Sequence, residues 1–166
     1  MKWLLLTTVG IVLSIIQIIT SPLLALWPSK LPQSLSWFQT VDYDLMGDGG
    51  HYARWADKPA YLQRLAWLLR NPTDGWDYQN ASVVTDLTLV HWSGDSQTSN
   101  RPGHSGWCKA RLPSGEWMLY VIYRWPGTSK CLRIYLGWKL MGAVHGSTGR
   151  YPLVCVPNPY SSYEVK

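Results

Sequence analysis

Residues 106–140, GWCKARLPSGEWMLYVIYRWPGTSKCLRIYLGWKL, constrain the fold more than any other part of the chain. Two Pro/Gly interruptions cut a largely apolar run into three pieces of strand length. Leu112 and Glu116 flank Pro113-Ser114-Gly115, and Trp125 and Lys130 flank Pro126-Gly127-Thr128-Ser129, spacings that suit hairpin loops. The pattern predicts an antiparallel meander. If the loops set the register, Leu119 faces Leu136, Cys108 faces Tyr120 and Cys131 faces Arg124. Trp117, Leu119, Val121 and Tyr123 then share one face with Leu132, Ile134, Leu136 and Trp138, and this more apolar face is expected to be buried. Met118, Tyr120, Ile122 and Arg124, beside Cys131, Arg133, Tyr135 and Gly137, form a mixed face expected to be half wet.

A second feature is the charge-free run over residues 3–29, bracketed by Lys2 and Lys30 and by Trp3 and Trp27. Spanning a bilayer takes roughly 20 apolar residues, and aromatic rings favour its two interfaces, so a single-pass transmembrane helix is expected. Pro22 is expected to kink or end the regular part. A cleaved signal fits less well, because Leu23-Leu24-Ala25 lacks the small residue required three positions before a cleavage site. One Lys at each end leaves the orientation open.

The expected organisation is an anchor with its flanks over residues 1–30, then one α+β domain over 31–166. Asp57-Lys58-Pro59 predicts a helix over 58–70 whose Tyr61, Leu62, Leu65, Ala66, Leu68 and Leu69 form an apolar face covering the sheet. Trp67 falls on the opposite, polar side, where it is read as an exposed or interfacial ring. Strands are expected over 83–92, 106–112, 116–125, 130–140 and 151–156, the last closed by Pro157-Asn158-Pro159. Residues 93–106 and 141–150 read as long polar or glycine-rich loops.

Composition and motifs narrow the chemistry. Eleven Trp and ten Tyr against one Phe suit a small core whose polar tips reach a wet boundary. Residues 31–100 hold eight Asp against four Lys/Arg, whereas 101–166 hold nine Lys/Arg against two Glu, so the β half suits an anionic surface or the chain's own acidic half. Cys108, Cys131 and Cys155 lack CxxC spacing, and the first two lie rows apart in the expected register, so all three are expected to stay reduced. Asp42, Asp44 and Asp48 fail the EF-hand spacing, since Met46 and Ala53 stand where ligands belong; Asx and glycine turns are the better reading. Gly103-His104-Ser105-Gly106 is one residue short of a nucleophile elbow. No cofactor or metal is expected.

Four blocks, SLSWFQTVDYDLMGDGG (34–50), RLAWLLRNP (64–72), YRWPGTSKCLRIYLGWKL (123–140) and VPNPY (156–160), resemble an uncharacterised family of small bacteriophage-encoded, membrane-anchored proteins. The resemblance implies a phage source and the host inner membrane as location, and carries over no catalytic residues. The expected function is an accessory protein that binds a phage or host protein, or an anionic lipid surface, without catalysis. Arg124, Arg133, Tyr120, Tyr135 and Trp67 are the expected contact residues. The alternatives are a cell-wall or lysis-related hydrolase using Asp44, Asp48, His51, His91 and His104, and single-stranded nucleic-acid binding on Tyr120, Tyr135, Arg124 and Arg133. Membrane anchoring argues against the last.

Overall fold

The expected meander register is present. In the computed structural model, which describes residues 1–85, 89–141 and 149–165, Leu119 pairs with Leu136, Cys108 with Tyr120, and Arg124 with Cys131. The strands are β1 (Val83–Thr85), β2 (His91–Gly94), β3 (Ser99–Asn100), β4 (Gly103–His104), β5 (Gly106–Arg111), β6 (Trp117–Arg124), β7 (Lys130–Trp138), β8 (Gly149–Tyr151) and β9 (Leu153–Ser162). Five of them form an antiparallel sheet in the order β2-β5-β6-β7-β9, while β1 pairs with β8 and β3 with β4. The strand expected over 83–92 is therefore two strands with different partners; part of it, 86–88, lies outside the described residues, as does 142–148 of the expected second loop. Strand β9 runs through Pro157-Asn158-Pro159 instead of stopping there. It can do so because it is an edge strand, where a proline loses no interstrand hydrogen bond on its outer side.

The two faces of the sheet are the reverse of those expected. Met118, Tyr120 and Ile122 are buried with Cys108, Ala110, Cys131 and Tyr135, while Leu119, Val121, Leu132, Ile134 and Leu136 are only half-buried and Tyr123 is exposed. Polar content misled the expectation because the polar tips on the mixed face find partners. The Tyr120 hydroxyl donates to Asn100 Oδ1 at 3.0 Å, and the Tyr135 hydroxyl accepts from the Met141 amide at 3.4 Å. Trp138 alone behaves as expected and is buried. Beside it Gly137 has φ +98, and a Cβ there would lie 2.0 Å from the Trp117 carbonyl oxygen, so only glycine allows this approach of β7 to β6.

The chain divides into two units, Met1–Ala81 and Ser82–Lys166, a different division from the one expected near residue 30. The first contains α1 (Lys2–Leu24), a 3₁₀ turn (Gln33–Phe38), α2 (Gly49–Trp55), α3 (Ala60–Arg70) and α4 (Asp74–Trp76), which continues as a π-helical turn over Asp77–Ala81. Helix α2 was not foreseen because it opens on two glycines; Asp48 starts it by accepting the His51 amide at 2.6 Å. Asp44 makes the expected Asx turn, accepting the Met46 amide at 2.8 Å. Helix α3 starts after Pro59 and not at Asp57, whose carboxylate pairs with Lys58. Its apolar residues Tyr61, Leu65 and Leu68 pack with Leu24, Ala25, Leu31 and Leu45, so the partner of that face is the end of α1 and the segment after it. Trp67 is a correction, being buried: its ring lies edge-on to His51 at 5.0 Å and Tyr43 at 5.9 Å, and its Nε1 donates to Thr40 Oγ1 at 3.1 Å. Residues 40–51 cover the side of α3 that its own sequence marks as polar.

All three cysteines are free, and burial pushes the Cys108 and Cys131 thiols up while Cys155 is exposed. Native alkylation should therefore modify Cys155 alone, and unfolding without reductant should expose two further reactive thiols, countable by mass spectrometry. Fewer than three modified thiols after unfolding would contradict the strand placement.

Candidate functional site

Three of the five expected contact residues come together. The Tyr120 and Tyr135 rings meet edge to face at 4.7 Å, and the Arg133 guanidinium lies 6.0 and 5.9 Å from their centroids. Strand pairing explains this, since Tyr120 is directly opposite Tyr135 and Ile122 opposite Arg133. The other two are engaged elsewhere. Arg124 donates from Nε to the Thr128 carbonyl and covers the Tyr163 ring at 5.2 Å, and Trp67 belongs to the first unit. Both tyrosine rings are 6 % exposed, so they offer no open platform on which bases could stack.

Above the tyrosines is a cavity of about 460 Å³ with Thr98, Ser99, Arg101 and His104 in its wall. His104 Nε2 lies 2.6 Å from Asp95 Oδ2, a pair that the sequence reading missed because Asp95 is nine residues away across the β3–β4 hairpin. The Gln97 amide and then His104 hold the Asp95 carboxyl below its ordinary value, and burial pushes both tyrosine hydroxyls above theirs. Such a wall can donate and accept hydrogen bonds. Of the hydrolase set, His104 is in this wall. Asp48 caps α2, and His51 is buried with its Nε2 2.9 Å from the Gln63 carbonyl. Asp44 makes its turn, and His91 is exposed on β2. Ser105 Oγ accepts the Arg124 amide at 3.2 Å. Among the described residues, no group of three or more His, Cys, Asp or Glu is placed to hold a metal ion.

The opposite sheet face is open. Lys109 is directly beside Leu119, which pairs with Leu136, and Trp107 is beside Val121, which pairs with Ile134. Trp107 and Tyr123 are half exposed, and Lys109 and Arg111 are exposed at the same side of the sheet. A shallow cavity of about 420 Å³ runs between Lys109, Arg111, Trp117 and Leu119. This face combines half-buried aliphatics, amphipathic rings and cations, the combination that a bilayer interface accommodates.

Helix α1 also has two sides. It is the one helix among the described residues long and apolar enough to cross a membrane. Leu4, Leu5, Val9, Ile11, Val12, Ile15, Ile16, Ile18, Ile19 and Leu23 are exposed, and at 100° per residue they fill half the circumference without a charge. Thr7, Gln17 and Ser21 are buried on the other half.

No curated protein and no solved structure matches this chain. Residues 1–165 match the model of a family of unknown function, DUF7338, and the chain therefore belongs to that family.

Proposed function

We propose that this chain is a bacteriophage accessory protein attached to the host inner membrane through α1, and that its sheet unit binds an anionic lipid surface without performing chemistry. The observation that carries the reading is the charge-free, exposed aliphatic half of α1. These aliphatic side chains are about half exposed, so each would gain roughly 1 kcal/mol from lipid contact. The open sheet face supports the second part, since Trp107 and Tyr123 lie on the same side as Lys109 and Arg111. The phage source rests on the resemblance of the four sequence blocks, and recovery of the chain in the inner-membrane fraction of infected cells tests it.

Flotation of the full chain with vesicles after detergent removal tests both parts. The chain should float with zwitterionic vesicles through α1 and partition more strongly into anionic ones at low salt. Each cation near an anionic surface contributes about 1 kcal/mol, so Lys109→Glu with Arg111→Glu should lower anionic partition roughly tenfold or more and leave zwitterionic flotation unchanged. Absence from every vesicle fraction would overturn the attachment. Equal partition of parent and variant into anionic vesicles would overturn the lipid reading of the sheet face and leave a protein partner in its place.

A further inference from the structure

Gly10, Ser14, Gln17 and Ser21 recur at intervals of four, three and four, which places them in one seam along α1. The rest of the first unit is fastened to that seam. A Cβ at Gly10 would lie 3.3 Å from the Trp76 ring, and Ser14 Oγ is 3.1 Å from Thr73 Oγ1. Gln17 donates from Nε2 to the Phe38 and Leu68 carbonyls, both at 3.1 Å, and its Oε1 accepts the Thr73 amide at 2.6 Å. Farther along, the Pro22 carbonyl accepts from the Tyr61 hydroxyl and the Ala25 carbonyl from Arg64 Nε. The fastened stretch from Gly10 to Ala25 covers about 22 Å of the helix.

We infer that α1 lies in the plane of one leaflet, aliphatic half toward the acyl chains and seam toward the headgroups, and does not cross the bilayer; this rests on the membrane attachment proposed above. The hydrocarbon core is about 30 Å thick, close to the length of α1 itself. A crossing helix would therefore carry its fastened partners to mid-membrane depth. Those partners include Trp76, flanked by Asp74 and Asp77, and the irregular stretch that follows Phe38, exposed at Val41, Asp42 and Tyr43. Carboxylates at that depth are strongly disfavoured, and irregular backbone is not tolerated facing lipid. Lying flat removes the conflict. The exposed aliphatic half sinks about 5–10 Å into the leaflet, Trp3 and Trp27 share one interface, and every seam partner stays on the polar side.

Spin-label depth on the full chain in vesicles decides this, because it does not depend on which way the protein inserts. Leu5, Val12 and Ile19 are exposed and follow one another at intervals of seven residues, so they look out from the same side of α1. Each is changed to Cys in a Cys155→Ser background, leaving only the two buried native thiols. A helix in the plane gives three labels at one shallow depth. A crossing helix places Val12 about 10 Å deeper than Leu5 and Ile19, and that result would overturn the inference. Labels that show water contact and no lipid contact at all three positions would instead overturn the attachment itself.

Discussion

Met118→Ala is expected to destabilise the sheet unit by about 2–5 kcal/mol, whereas Leu119→Ala, one residue along the same strand, should cost roughly 1 kcal/mol. Met118 is fully buried opposite Gly137 and beside Ala110, and deleting its side chain leaves a cavity that close-packed strands cannot fill. Leu119 is half-buried between Lys109 and Leu136, so its removal opens space already reached by solvent. Because the chain has two units, a single melting curve is a poor readout, and native-state hydrogen exchange of the β6 and β7 amides is the direct measurement. Protection should collapse in the Met118 variant and change little in the Leu119 variant. The opposite ranking would mean that the sheet buries its other face.

Gln17→Ala should have a comparable effect on the first unit, about 3 kcal/mol or more. Its side chain satisfies the Phe38 and Leu68 carbonyls and the Thr73 amide in a fully buried position, and alanine leaves all three without that partner. A buried polar group so stranded costs about 1–3 kcal/mol. The Thr73 amide should lose its protection from exchange, and residues 31–81 should become sensitive to protease, while flotation with vesicles is kept because the aliphatic half is untouched. Thr20→Ala is the control: its hydroxyl bonds the Ile16 carbonyl of its own helix, so the change should stay within about 0.5 kcal/mol. Equal behaviour of the two variants would show that Gln17 does not hold the seam.

The sequence by itself determined the α+β class, the meander, its register, the existence and end of α3 and the charge-free helix at the start. Each of these is written in local spacing: turn length sets which residues pair, alternation sorts side chains into two sets, and helical periodicity marks a face. The polar spacing of Gly10, Ser14, Gln17 and Ser21 is equally local, though it lies within a run read only for its lack of charge. Only the tertiary structure decided which set of sheet residues is inside. Period two separates Met118, Tyr120 and Ile122 from Leu119, Val121 and Tyr123 without saying which side is covered. That depended on Asn100, from the β3–β4 hairpin, and Met141, beyond the end of β7, meeting the hydroxyls of Tyr120 and Tyr135. Trp67 and the Asp95–His104 pair follow the same rule, since their environments are made by segments that a local pattern does not mention. A buried polar group is admitted wherever its partner arrives, and the partner's position is a property of the folded chain.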